Sequence, residues 1–282
     1  MKKTIIIAAT IVPAVLLIFV CGCITQPATT ENTISTAVPV ISYGDTPVQY
    51  ETVNGVALAY REFGIENKEP ILMLIGFGET MESWNTTFVG LLSENYHVYV
   101  YDYRDMGESS KTDSNFTICQ LSDDAAGLIS ALGYDSMNTY SGSMGSTVTQ
   151  QLLISHPEKV RKAVLSSATY SVLIPETEIL HCLIESELTD PKSSEGVVKE
   201  AYANLNYPGC YDNLSSIKND VMLITGTADV ITPQSVAVQI AGQINGSWLV
   251  RFKDIHHMGS KYAPYEYAEI IKTFLEMNVT PA

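Results

Sequence analysis

The stretch NTYSGSMGSTVTQQLLIS, residues 138–155, passes from a short polar strand into an amphipathic helix through a turn of small residues. Residues 138–141 read as the strand and 144–155 as the helix, with apolar side chains recurring near the 3.6-residue period. The turn, Ser141-Gly142-Ser143-Met144-Gly145, has the pattern small-x-Ser-x-Gly. A side chain at the tip of so sharp a reversal needs a strained backbone, and the residues two before and two after it must be small or they clash. The helix N-terminus beneath Ser143 favours negative charge developing there. Taken alone, the pentapeptide also fits an ordinary turn at a helix start, so the elements around it have to decide.

Upstream, residues 48–53 and 56–60 flank Asn54-Gly55, a type I′ hairpin signal, so two antiparallel strands open the domain. Residues 71–75 are continuously aliphatic, as expected of a strand buried on both faces. Further strands are predicted at 97–101, 163–166, 221–225 and 248–252, and helices at 84–92, 122–132 and 263–277. Strands alternating with helices specify an α/β domain with a mostly parallel sheet of eight strands and helices on both faces. The gap between the strands at 163 and 221 is too long for a simple crossover. It contains helical stretches at 174–188 and 195–204, and residues 171–214 are therefore expected to form a small helical lid. Its acids include Glu185, Glu187 and Glu200; most of the insertion's acids read as a solvated helical surface, and any that face the cleft would disfavour an anionic substrate.

Other strand ends carry chemistry. Ile75-Gly76-Phe77-Gly78 can aim the Phe77 N–H into the crevice that Ser143 faces, and Met144 supplies a second N–H. Two such donors would stabilise an oxyanion, each worth about 3 kcal/mol of barrier. Asp229 follows the strand at 221–225, and His257 follows the strand at 248–252. An acid and an imidazole in loops are usually surface groups, but the order Ser143, Asp229, His257, each after a separate strand, gives them force together.

With these residues in place, the chain resembles the α/β-hydrolase superfamily, in its lidded branch of esterases, lipases and C–C hydrolases. The resemblance covers about residues 48–275. Ile75 to Gly78 and on to Trp84 resembles the family's oxyanion segment, and Asp102-Tyr103-Arg104-Asp105-Met106-Gly107-Glu108-Ser109 its Asp-x-Arg-Gly-x-Gly-x-Ser loop. Ser141 to Gly145 resembles the nucleophile elbow, Asp229 with Pro233 the acid loop, and His257-Met258 the histidine loop. Four positions depart from the family pattern: Ile75 replaces a His, Ser141 a Gly, Asp105 a Gly, and Gly142 stands where a His is common. The resemblance implies Ser143 as nucleophile, His257 as base in preference to the adjacent His256, and Asp229 as its orienting acid; the sequence carries no motif for a metal or organic cofactor. It implies hydrolysis of an ester, or of an amide less readily, in a small neutral substrate. Two other readings stay open: a proline iminopeptidase-like enzyme gripping an amine with Glu185 or Glu187, and a non-catalytic surface binding protein on the same scaffold.

The N-terminus has the layout of an export signal, with Lys2 and Lys3, an apolar run from 5 to 20, and then Cys21-Gly22-Cys23. Residues 1–22 are expected as signal or membrane segment, with Cys23 a lipid-attachment site of prokaryotic lipoprotein type in preference to a plain cleaved signal or an uncleaved anchor. Residues 23–46, rich in Thr, Ser, Pro and Ala, are expected to form a flexible linker, and 47–282 the domain. The protein is thus expected outside the cell, tethered to the membrane. A net charge of −15 repels nucleic acid and excludes it as a partner. Cys119, Cys182 and Cys210 match no zinc spacing, and Cys182 and Cys210 could pair or stay free.

Overall fold

The computed structural model describes residues 41–277. The expected signal at 1–22, Cys23 and most of the expected linker lie outside that range. The chain is already packed on the domain at Ile41 and Tyr43, within the stretch expected as linker, and the Tyr43 hydroxyl donates to the Trp84 carbonyl at 3.0 Å.

Eight strands form one sheet: β1 (Gln49–Val53), β2 (Val56–Phe63), β3 (Pro70–Leu74), β4 (His97–Tyr101), β5 (Met137–Gly142), β6 (Val160–Ser166), β7 (Asp220–Gly226) and β8 (Trp248–Phe252). Their order is β1-β2-β4-β3-β5-β6-β7-β8, antiparallel at β1–β2 and β2–β4 and parallel elsewhere. Asn54 and Gly55 both take positive φ, 49° and 81°, as the type I′ hairpin between β1 and β2 demands. Every residue of β3 is buried. Successive side chains of a strand point to opposite faces, so both faces of the sheet are covered there.

The covering helices are α1 (Thr86–Ser93), α2 (Ile118–Ala131), α3 (Met144–Ser155), α4 (Glu178–Glu187), α5 (Glu195–Leu205), α6 (Gln234–Gln243) and α7 (Pro264–Glu276). α1 packs with α7, α2 with α3, and α6 against β7 and β8. The sequence reading had no α6, because its ten residues carry three β-branched positions, Val236, Val238 and Ile240, and its apolar stripe is short.

α4 and α5 are the helices of the expected insertion and pack on each other. Val172, Leu180, Ile184 and Ala201 form their own small core, against which Phe77 and Ile231 of the domain also pack. Cys119, Cys182 and Cys210 are all free. A Cys182–Cys210 bridge is excluded: Cys182 is exposed on α4, whereas Cys210 is buried with its thiol facing the Gln150 side chain.

Candidate active site

The turn between β5 and α3 places Ser143 at φ 53° and ψ −122°, outside the regions ordinary side chains favour. Such a conformation costs about 1–3 kcal/mol and persists only where its surroundings over-determine it. The Ser143 N–H donates to the Ser166 carbonyl at 3.0 Å, and the Ser146 hydroxyl donates to the same carbonyl at 2.9 Å. Small residues are needed for the reason the pattern gives: a Cβ on Gly145 would sit 2.1 Å from the Leu74 carbonyl oxygen. Gly145→Ala is expected to destabilise the fold by about 1–3 kcal/mol through overpacking, read as a lowered thermal midpoint. An unchanged midpoint would mean the turn opens without resistance.

Asp229 lies three residues beyond β7 and is 4% exposed. One oxygen, Oδ1, accepts the N–H groups of Ile231 and Thr232 at 3.0 and 2.9 Å; the Thr232 hydroxyl donates to Oδ2 at 3.0 Å. Burial alone would raise the Asp229 carboxyl. The hydrogen bond and charge of His257, with the donors of Thr232, outweigh burial and hold it below the usual carboxylate range.

His257 joins the two. Its Nδ1 is 2.9 Å from Asp229 Oδ2, and its Nε2 is 3.0 Å from Ser143 Oγ. An ionised carboxylate only accepts, so the neutral imidazole carries its proton on Nδ1 and offers Nε2 as acceptor to the Ser143 hydroxyl. The loop is pinned just beyond the ring, where the Met258 N–H donates to the Ser167 hydroxyl at 3.0 Å. His256, the neighbouring alternative, is exposed and turns its ring toward Tyr262.

Phe77 follows β3 by three residues and Met144 opens α3. Among the described residues no acceptor takes either N–H. The loop carrying Phe77 is tied down on both sides: the Tyr103 hydroxyl donates to the Ile75 carbonyl at 3.2 Å, and the Gly78 N–H donates to Glu200 Oε2 at 2.7 Å. Ile75, the departure from the family's His, brings no polar side chain, so these ties come from elsewhere.

Glu200 is fully buried, contrary to the solvated surface expected for the acids of the insertion. Burial, assisted by the charges of Asp102 and Glu79 and opposed by the Gly78 N–H, pushes its carboxyl up to about 8. A raised folded value means that the folded protein holds this proton more tightly than the unfolded chain. The stabilisation is complete in acid and is lost as pH rises from the ordinary glutamate value through about 8, at about 1.4 kcal/mol per pH unit. Glu200→Gln does not titrate, so its stability relative to wild type should climb across that window in denaturant melts. A constant difference would show that the carboxyl titrates normally.

Ser143 and His257 open into a cleft of about 350 Å³, lined also by Phe77, Leu180, Leu183, Ile231, Met258 and Tyr262. The carboxylate and ammonium in its lining, Glu79 and Lys261, pair with each other. Neither Glu185 nor Glu187 lines it. Three supporting residues escaped the sequence reading. Thr232 had a local signal, the three-residue spacing from Asp229 that suits a side-chain-capped turn. Ser167 and Glu200 had none, since their partners are distant in sequence.

A family model described as the alpha/beta hydrolase fold matches residues 69–205. The chain is 23% identical over 239 residues to (E)-2-((N-methylformamido)methylene)succinate hydrolase of Acinetobacter baylyi, covering 74% of this chain and 90% of that protein. It is 30% identical over 122 residues to proline iminopeptidase PfmaB of Pestalotiopsis fici, covering 42% of this chain and 43% of that protein. Among solved structures, the enol-lactonase from Burkholderia xenovorans superposes with a TM-score of 0.71 at 22% identity, over 81% of this chain and 100% of that one. Strand order, the family match over residues 69–205 and the shared architecture together show the α/β-hydrolase fold.

Proposed function

We propose that the chain is a serine hydrolase that cleaves an ester bond, and an amide less readily, in a small neutral substrate. The observation that carries this reading is one imidazole hydrogen-bonded at once to an alcohol and to a buried carboxylate, Ser143 and Asp229, at 3.0 and 2.9 Å. His257 Nε2 takes the proton as Ser143 Oγ attacks the carbonyl carbon. The Phe77 and Met144 N–H groups receive the oxyanion, and Asp229 stabilises the imidazolium. His257 then gives the proton to the leaving alcohol, an acyl-Ser143 ester remains, and water activated by His257 releases the acid. Apolar lining by Leu180, Leu183 and Ile231 suits a neutral acyl group, and a cleft of about 350 Å³ limits its size. That Glu185 and Glu187 stand outside the cleft leaves the iminopeptidase reading without its amine-binding acids.

A panel of p-nitrophenyl esters of increasing chain length, run beside proline and other arylamides, tests the assignment. Turnover confined to short and medium esters is expected. Preference for proline arylamides would replace the ester reading. Failure of the protein to react with a fluorophosphonate would favour the non-catalytic one.

Export and tethering at Cys23 complete the proposal, supported by the basic start, apolar run and Val20-Cys21-Gly22-Cys23 sequence. Cys23→Ala should move the protein from the membrane to the soluble fraction and remove metabolic labelling by a fatty-acid analogue. Membrane retention without label would select the uncleaved anchor instead.

A further inference from the structure

Helix α5 buries its polar face. Gly196, Lys199, Glu200, Ala203 and Asn204 recur at helical spacing and are buried, while Val197 and Val198 are only partly covered and Tyr202 is exposed. A stripe of Lys, Glu and Asn can go inside only if each finds a partner, and all three do, in Asp105 and Thr112, in Gly78 and in Met144. Lys199 Nζ donates to Asp105 Oδ1 at 2.9 Å and also to the Thr112 carbonyl. Asp105, which replaces a family Gly, keeps the positive φ of 66° that a Gly would take and uses its side chain to receive the helix. Close approach requires Gly196, where a Cβ would lie 2.3 Å from the Asp105 carbonyl oxygen. Asn204 Nδ2 lies 3.0 Å from the Met144 sulfur.

Glu200 reaches furthest. Its Oε2 takes the Gly78 N–H at 2.7 Å, while its Oε1 is buried with no partner. That bond pins the Phe77–Gly78 peptide, and the Tyr103 bond to the Ile75 carbonyl pins the Ile75–Gly76 peptide. Between them lies the Gly76–Phe77 peptide, which carries the Phe77 N–H and whose carbonyl accepts the Glu79 N–H only at 3.3 Å. A single peptide between two pinned neighbours loses its freedom to rotate, so its N–H is oriented before any substrate arrives. Preorganised donors lower a barrier because no reorganisation is needed as charge develops.

We propose that Glu200 is a positioning residue that, from the inserted helix, fixes the Phe77 N–H as an oxyanion donor by holding the N–H of the next residue. The inserted helices are then part of the catalytic scaffold as well as a cover over the cleft. This rests on the Ser143 reading above.

The test compares the full-length wild type with Glu200→Met, which keeps the length and removes the acceptor, and Glu200→Gln, which keeps an acceptor oxygen. Each is assayed on a short p-nitrophenyl ester and on a trifluoromethyl ketone of matching chain length, which forms a tetrahedral adduct with the serine. Glu200→Met is expected to lower kcat by about 10–100-fold with KM changed less than about threefold, and to weaken the ketone in parallel. Glu200→Gln should recover kcat to within about threefold of wild type. Unchanged kcat in Glu200→Met, a loss confined to KM, or equal damage in Glu200→Gln would overturn the proposal. Should circular dichroism show Glu200→Met unfolded, Glu200→Asp takes its place: it keeps the carboxyl but withdraws it by one methylene, and the same split is expected. A wild type that neither turns over esters nor takes a fluorophosphonate label at Ser143 would instead defeat the hydrolase reading itself.

Discussion

Ser143→Ala is expected to lower ester turnover by about a millionfold and to abolish fluorophosphonate labelling, while the fold survives. The size follows from the proposed role: the alcohol oxygen would make the covalent bond, and removing the nucleophile of such a unit costs about as much as removing the whole unit. The fold survives because the side chain contributes one hydrogen bond, to His257 Nε2, while the strained turn is held by the Ser143 N–H to the Ser166 carbonyl and by Ser146. Losing one such bond costs about 1 kcal/mol, a shift of a few degrees in the thermal midpoint. Under the proposed mechanism, the residual rate would report what binding and the Phe77 and Met144 N–H groups achieve alone. Ester turnover or labelling that persists in the variant would place the nucleophile elsewhere and end the assignment.

The sequence made most of the scaffold legible because its signals are local. β4, α3 and β8 fall where the runs at 97–101, 144–155 and 248–252 put them, since apolar residues dominate the two strands and a small-residue turn opens the helix. Three members of the candidate site were legible through order: Ser143, Asp229 and His257 each follow a strand, and parallel strands bring their carboxyl ends to one edge. What remained hidden depends on partners remote in sequence. Glu200 looks like any helix-surface acid until the fold brings Gly78, more than a hundred residues away, against it. Lys199 and Asp105 likewise look like unrelated charges. α6 was hidden for another reason, its short stripe and β-branched residues giving no clear period.

Partners remote in sequence also account for how the four departures from the family pattern are tolerated. Asp105 at φ 66° gives up the ease of glycine but receives the Thr112 N–H, the Thr112 hydroxyl and Lys199. Its carboxyl is pushed up by burial and pulled down by those donors, and the net direction is down. Ser141, in place of a Gly, is fully buried and turns its hydroxyl to the Val164 carbonyl at 3.1 Å. Gly142 leaves room for Met258, whose methyl lies 2.7 Å from where a Cβ would stand. Ile75 gives up a polar side chain, and Tyr103 and Glu200 hold the loop in its stead.

Asp229→Asn should reduce kcat by about 10⁴-fold with little change in KM, although it alters a single atom. Oδ1 accepts two backbone N–H groups, from Ile231 and Thr232, so the amide oxygen of Asn must occupy that position. The NH₂ is then forced to the Oδ2 position, facing His257 Nδ1. Nδ1 lies 2.9 Å from that position and 3.1 Å from the Oδ1 position, so the nearer NH₂ favours Nδ1 as acceptor, which moves the imidazole proton to Nε2. That nitrogen now donates to Ser143 Oγ and cannot take its proton, so geometry is kept and the base is lost. The Thr232 hydroxyl, which donates to Oδ2 in the wild type, must turn away, and its loss of a charged acceptor adds to the effect. Stability provides a second reading of the same carboxylate. Its folded value lies below the ordinary aspartate value, so its contribution is present above that value and is lost as pH falls through the folded one. The advantage of wild type over Asp229→Asn in denaturant melts should therefore shrink on the acid side of pH 4 and stay constant toward neutrality. A variant retaining kcat within tenfold would mean that His257 does not depend on Asp229 for its tautomer, and the acid of the site would have to be sought elsewhere.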